Sequence, residues 1–355
     1  MKAITSQNSI VYFNTECYTA INFHIANENY SKIVIIADEN TFEYCYPIFI
    51  KQLQTSVEIE VIQIEAGEEH KNIDTCSGVW NALSELNIDR KCLIINIGGG
   101  VVTDLGGFVA STYKRGVTYI NIPTSLLAMV DASVGGKTGV DLGNIKNQIG
   151  VINTSEMVLI DTTFLNTLPQ NEMRSGLAEM LKHGLIRNEA YWNKMSDLSK
   201  LTPKDLDTLI YESVTIKNNV VTEDPTEQGI RKALNFGHTL GHAIESYCLE
   251  NKYKTTLLHG EAVAIGMILA TYISTKLTGF NPSTCNHVKN TILNTFDKVL
   301  FTKEDITAII ELMKYDKKNS HGNINFVLLS TIGKTVIDCK VSNDLIVESF
   351  TYYAN

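Results

Sequence analysis

Hydrophobic positions in the first half of the chain come in short runs of strand length. Lys32 to Ala37 is a β-branched run, Glu58 to Ile64 alternates, and Lys91 to Ile97 and Thr118 to Ile122 are dominated by apolar residues. Between these runs the apolar spacing is helical, over Phe42 to Gln54 across Pro47, Asn72 to Asn87 and Val101 to Ser111. Alternation of this kind predicts a parallel sheet with helices on its faces, and ligands beyond the carboxyl ends of the strands. From about Asp161 strand-like runs nearly vanish. Asn171 to Ile186, Asp205 to Val221, Lys232 to Glu250, Gly260 to Thr275, Pro282 to Asn294 and Lys303 to Met313 read as helices, with one strand-like run at Asn325 to Leu329. The pattern therefore predicts an α/β parallel-sheet domain over residues 1–160 and a mostly α-helical domain over 161–355. The boundary is placed near Asn153 to Leu168, give or take several residues, and a cleft between the domains is the expected place for a site.

The chain has 355 residues, 44% of them apolar and 19% charged, and a net charge of −9. That balance suits an ordinary globular core and argues against a nucleic-acid surface. It does not exclude a local basic pocket for a phosphorylated substrate. Cys17, Cys45, Cys76, Cys92, Cys248, Cys285 and Cys339 are widely spaced and contain no CxxC, which reads as reduced thiols in a cytoplasmic protein. Met1 to Asn8 lacks the apolar core of a signal peptide, and the most apolar stretch, Ala262 to Ala270, is too short to span a bilayer.

Three segments carry candidate chemistry. Leu234 to His242 places His238 and His242 four residues apart in a helical pattern, hence on one face. His259 supplies a third imidazole, and Glu179 a carboxylate. Such a set, with one position left open, suits a catalytic divalent metal such as zinc; two ordinary surface histidines are the plain alternative. Asn96 to Asp104 puts Gly98-Gly99-Gly100 between a predicted strand and a predicted helix, where backbone N–H groups can approach a pyrophosphate. The spacing departs from G-x-G-x-x-G because Thr103 stands at the last glycine, so a tight structural turn also fits. Met129 to Gly139, followed by Lys146-Asn147, reads as a lysine-bearing loop that is not a Walker A sequence. With Arg115, Lys182, Lys217, Arg231, Lys317 and Lys318 it suggests an anion-binding site for a substrate with a carboxylate and a phosphate.

Taken in order, these blocks resemble the 3-dehydroquinate synthase family of sugar-phosphate cyclases. The resemblance runs from about Ile33 to Val336. It rests on Gly67 to Lys71, Gly98 to Phe108, Arg115-Gly116, Pro123 to Lys137, Lys146-Asn147, Gly176 to Lys182, Asp224-Pro225, Arg231 to Glu245, His259 to Glu261 and Asp316 to Lys318. It implies a Rossmann-like NAD-binding domain followed by an α-helical metal- and substrate-binding domain. It also implies a lyase of the shikimate pathway that converts 3-deoxy-D-arabino-heptulosonate 7-phosphate into 3-dehydroquinate and phosphate. Transient oxidation by NAD, elimination of phosphate, re-reduction and aldol closure make up that reaction.

By position, the resemblance puts Zn2+, with Co2+ as an alternative, on Glu179, His238 and His259. NAD falls to Glu68, Lys71, Gly99, Gly100, Val101, Val102, Thr103, Asp104, Thr124, Ser125, Asp131, Lys137, Lys146 and the run Phe164, Leu165, Asn166 and Thr167. The phosphorylated sugar acid falls to Lys137, Asn147, Lys182, Lys217, Arg231, Asn235 and Lys317 or Lys318. His242 becomes a polar partner or proton carrier, and Arg115 a residue that reaches the other subunit of a homodimer. Two departures stand out. Ile145 replaces the usual Gly before Lys146-Asn147, which threatens a left-handed backbone position there. The spacing from His238 to His259 is also longer than the family's, with the extra residues expected in Leu249 to Leu257. The alternatives are another cyclase whose substrate lacks a carboxylate, an NAD- and metal-dependent alcohol dehydrogenase, or a non-catalytic NAD-binding protein. Lys217, Arg231 and Asn235 argue against the first, the cation set against the second, and the ligand set against the third.

Overall fold

The computed structural model describes residues 1–6, 8–143, 145–197, 203–313 and 324–355, with the backbone alone for Pro203 and Lys204. Contacts divide the chain into two compact units, Met1–Pro169 and Gln170–Asn355.

The first unit is built on a seven-stranded sheet. In chain order it contains β1 (Ile4–Ser6), β2 (Ser9–Phe13), α1 (Thr15–Asn27), β3 (Ile33–Asp38), α2 (Glu39–Tyr44), α3 (Tyr46–Ile50) and β4 (Ile59–Ile64). There follow α4 (Ile73–Glu85), β5 (Leu93–Gly98), α5 (Gly100–Thr112), β6 (Thr118–Pro123), β7 (Lys137–Leu142), β8 (Ile145–Ile152) and β9 (Met157–Ile160). The sheet order is β1-β2-β9-β6-β5-β3-β4, parallel throughout except for β1 against β2. Every residue of β5 is buried, as a central parallel strand requires. The order of strands reverses between β3 and β5, so the glycine turn after β5 lies at the switch point, where ligands of open α/β sheets sit. Asn96 and Asn121 stand opposite each other in β5 and β6. The Asn96 amide donates to the Asn121 carbonyl at 2.8 Å inside the core. The Asn96 Oδ1 lies 2.0 Å from where a Cβ on Gly106 would stand, so only glycine lets α5 pack this close.

Several expectations need correction here. Phe42 to Gln54 is not one helix, because α2 ends before Cys45 and α3 starts anew at Tyr46. Pro47 lacks an N–H and fits only the first turn of a helix, where none is needed. Met129 to Asn147 is not all loop, since Lys137, Lys146 and Asn147 sit on the antiparallel hairpin of β7 and β8. Ile145 opens β8, where extended backbone suits a branched side chain, and the left-handed residue is Asn147 with φ 50°. β1, β2, α1 and β9 were not foreseen. The contact division falls after Pro169, so the 3-10 turn Thr162–Thr167 belongs with the sheet unit.

The second unit contains α6 (Gln170–Arg187), α7 (Glu189–Met195), α8 (Pro203–Glu223), α9 (His238–Glu250), α10 (His259–Leu277), α11 (Pro282–Leu293) and α12 (Lys303–Leu312). The hairpin β10 (Asn325–Thr331) and β11 (Lys334–Lys340) precedes α13 (Asn343–Ala354). α10 is the hub and packs against α6, α9, α11, α13 and β10, so it is apolar on nearly all faces. Lys232 to Glu250 is not one helix. A 3-10 turn, Ile230–Asn235, leads to Gly237 with φ 79°, and α9 begins at His238. α7, β11 and α13 were not foreseen. Among the described residues no helix is long and apolar enough to cross a membrane.

Candidate active site

The histidines of the second unit converge because two helix starts are held together. Gly237, left-handed, turns the chain into α9 so that His238 is its first residue. A Cβ on Gly237 would lie 2.6 Å from Met267 Cγ of α10, so the approach of the two helices depends on its absence. His259 is the first residue of α10, and the next residue, Gly260, donates its N–H to Ser175 Oγ of α6 at 2.9 Å. Glu261 caps this helix start by accepting from Leu258 N–H.

Glu179 of α6 is 0% exposed and lies between the two histidines, with Oε1 3.4 Å from His238 Nε2 and 3.7 Å from His259 Nε2. The His238 Nδ1 faces the Phe236 carbonyl at 3.2 Å, which turns its Nε2 toward the carboxylate. The His242 ring lies 5.2 Å from that of His238 and 5.6 Å from that of His259, and ring nitrogens of the three lie within 4.8 Å of one another. Burial pulls the His259 imidazole down, but Glu245 and Glu179 outweigh it and hold its pKa up at about 9. Imidazoles that converge beside a buried carboxylate fit a divalent metal in donor type and charge.

The same unit carries the buried cations Lys182, Lys217 and Arg231. Lys182, 1% exposed, hydrogen-bonds Glu179 one turn away on α6. Lys217 is buried on α8, which packs against the 3-10 turn that carries Arg231 and Asn235. Arg231 is 2% exposed, and its NH1 donates to the Pro225 carbonyl at 2.6 Å. The Asp224 carboxylate accepts from the N–H groups of Gln228, Gly229 and Arg231, and so folds the turn that presents that guanidinium. Burial opposes ionisation of Asp224, but those three N–H groups prevail and lower its pKa. Asn235 donates to Glu227 at 2.7 Å. Lys317 and Lys318 lie outside the described residues.

The first unit gathers a second set. The glycine turn delivers Gly100 to the start of α5, with Gly99 as its N-cap. Thr124 N–H donates to the Gly98 carbonyl, and Ser125 Oγ lies beside Gly99, so both candidates adjoin the turn. Lys71, buried, places its Nζ 2.6 Å from both Asp104 Oδ2 and Asn147 Oδ1. Burial lowers the Lys71 pKa, but Asp104 and Glu68 outweigh it and raise it. Asn147 N–H donates to Asp141 at 2.5 Å, and Lys146 pairs with Glu68 at 3.2 Å. One ammonium thus joins the helix after the glycine turn to the β7–β8 hairpin. The side chains of Val102, Thr103, Phe164 and Leu165 are buried, while Asn166 and Thr167 are exposed beside the last two. Asp131 lies on the π-helical turn Ala128–Ala132, and Lys137 is exposed at the start of β7. Arg115 stands on an exposed turn where Lys114 and Arg115 are both left-handed, with φ 48° and 70°.

Residues 61–175 match the 3-dehydroquinate synthase N-terminal family, and residues 176–319 match the 3-dehydroquinate synthase C-terminal family. A 3-dehydroquinate synthase of Parabacteroides distasonis is 41% identical over 331 residues, 93% of each chain. The chain belongs to the 3-dehydroquinate synthase family. A 3-dehydroquinate synthase of Endomicrobium trichonymphae is also 41% identical, over 85% of this chain and 84% of its own. Among solved structures, the 2-epi-5-epi-valiolone synthase of Streptomyces hygroscopicus subsp. jinggangensis, with NAD+ and Zn2+ bound, superposes with a TM-score of 0.85. That pair is 24% identical and covers 100% of this chain and 99% of the other, which establishes the shared fold. The activity is that of a 3-dehydroquinate synthase, a lyase of the shikimate pathway. The alcohol dehydrogenase and non-catalytic alternatives fall with this membership.

Glu245, Asp224 and Asp141 carry contacts at these sites that no sequence motif announced. Glu245 could have been found, because it lies seven residues after His238 and so on the same helical face as the histidine pair.

Proposed function

We propose that this chain acts on 3-deoxy-D-arabino-heptulosonate 7-phosphate with NAD held by the first unit and Zn2+ or Co2+ held by Glu179, His238 and His259. The observation that carries the metal reading is the buried Glu179 carboxylate, with Oε1 3.4 Å from His238 Nε2 and 3.7 Å from His259 Nε2. Bound there, the metal would supply Lewis-acid polarisation of a substrate hydroxyl, and NAD would accept and later return a hydride.

The remaining work falls to the chain's own groups. Backbone N–H groups at the start of α5 and the hydroxyls of Thr124 and Ser125 hold the nucleotide phosphates. Lys71 braces that turn through Asp104 and ties it to Asn147. Arg231 presents a planar fork suited to the substrate carboxylate, with Lys217 and Asn235 beside it. Lys182 and Lys137 hold phosphate or hydroxyl oxygens, and a lysine of the 317/318 pair does the same. His242 carries the proton of the hydroxyl under oxidation at a ring nitrogen. The departing phosphate takes the proton for its own elimination. We further propose a cytoplasmic homodimer in which Arg115 reaches the partner's site.

The test is phosphate release from the heptulosonate phosphate, with and without NAD and a chelator. Release that requires both cofactors, and is abolished in His259→Ala, is expected. Full activity in protein verified as metal-free would sink the metal reading.

A further inference from the structure

Two groups hold the candidate metal ligands from behind, and they differ in kind. His238 turns its Nδ1 to a neutral backbone carbonyl, that of Phe236, at 3.2 Å. His259 turns its Nδ1 to a full carboxylate, Glu245 Oε2, at 3.3 Å. Its other nitrogen, Nε2, faces Glu179. The ring of His259 is thus held at both nitrogens by acids from two different helices, α6 and α9. Glu245 is itself buried, and a carboxylate in such a place is costly unless it is paired and hydrogen-bonded. His259, unlike His238, has no left-handed glycine before it to fix its approach; it follows the loop 251–258.

We propose that Glu245 is the positioning residue of His259. It accepts the Nδ1–H, which fixes the tautomer and the ring orientation and leaves the Nε2 lone pair for the metal. A carboxylate in this position also makes the imidazole a stronger donor than a carbonyl would. The hold on His259 from behind then helps set the site's affinity for the metal. The inference rests on the metal reading proposed above.

The experiment compares the full-length parent, Glu245→Gln and Glu179→Gln, each stripped with a chelator and titrated with Zn2+. The amide of Glu245→Gln keeps the shape and one acceptor oxygen but loses the charge. Its Zn2+ affinity should fall by about 10–100-fold, the range for outer partners of ligating histidines. The unfolding midpoint of the metal-free protein should stay close to the parent's. The visible absorption of the Co2+-loaded variant should shift, which a purely structural role for Glu245 would not produce. Parental Zn2+ affinity in Glu245→Gln, with Glu179→Gln impaired, overturns the inference and leaves the metal site standing. A parent that takes up no divalent metal overturns both. Should Glu245→Gln fail to fold, nitrogen-15 spectra of histidine rings in the Zn2+-loaded parent decide the matter. A proton on Nδ1 of His259 is expected, and a proton on Nε2 overturns the inference.

Discussion

Arg231 is held in one orientation before any ligand arrives, because Asp224 folds its turn and the Pro225 carbonyl takes its NH1. A preset guanidinium recognises a carboxylate with little loss of freedom. Arg231→Ala should cost about 2–4 kcal/mol in kcat/KM for the heptulosonate phosphate, the range for cutting one partner of a buried charge pair. Arg231→Lys keeps the charge but loses the fork, so it should weaken substrate use in the same direction. NAD affinity should hardly change in either. Parental efficiency in both variants would remove Arg231 from the carboxylate. At this scale the histidine pair was legible, since HxxxH defines one face of a helix whatever surrounds it. Glu245 was legible only as a place on that face, because the role of an acid there shows once His259 of a second helix stands against it.

Between α9, the loop 251–258 and α12 lies an ionic clip. Asp305 receives the Lys254 ammonium at 2.5 Å, the Tyr247 hydroxyl and the Thr302 N–H. Burial pushes the Asp305 carboxyl up, but the Lys254, Tyr247 and Thr302 donors outweigh it and bring its pKa from 3.8 down to about 2. A carboxyl whose folded pKa is depressed stabilises the fold above its unfolded pKa and loses that contribution as pH falls through the folded value. The contribution, about 1–2 kcal/mol after allowance for solvent screening, should therefore be complete near neutrality and fade from pH 3.8 toward about 2. Urea midpoints measured across that window should fall less steeply in Asp305→Asn than in the parent. An unchanged slope would show that the clip does not hold this loop. Among elements, β3 and β5 were legible because they are apolar almost end to end. The β7–β8 hairpin was not, because its glycines and lysines give a loop-like composition and only its pairing reveals strands. The single helix read over Lys232 to Glu250 failed at Gly237, whose left-handed turn leaves the apolar spacing almost undisturbed.

For the molecule as a whole, the reaction is redox-neutral, so NAD should be required yet recovered unchanged. Multiple turnovers per bound NAD, without growth of the near-ultraviolet absorbance of NADH, are expected. Stoichiometric accumulation of NADH would contradict recycling. The division into a sheet unit and a helical unit was legible from the change in hydrophobic period. The contact division after Pro169 lies at the edge of the stretch expected for it, although Met157–Ile160, a short strand whose partners β2 and β6 lie far away in sequence, was not foreseen. Sheet alignment has a further consequence through the buried pair Asn96 and Asn121. If β5 slipped by two residues along β6, Asn96 would face Tyr119 or Pro123 and Asn121 would face Gly98 or Ile94, so neither carboxamide would meet its mate. Leaving a buried polar group unmatched costs about 1–3 kcal/mol. The pair therefore works as a checksum on strand alignment: only one registration lets the two amides meet, and that registration sets Gly98 opposite Pro123, with the glycine turn beside Thr124 and Ser125.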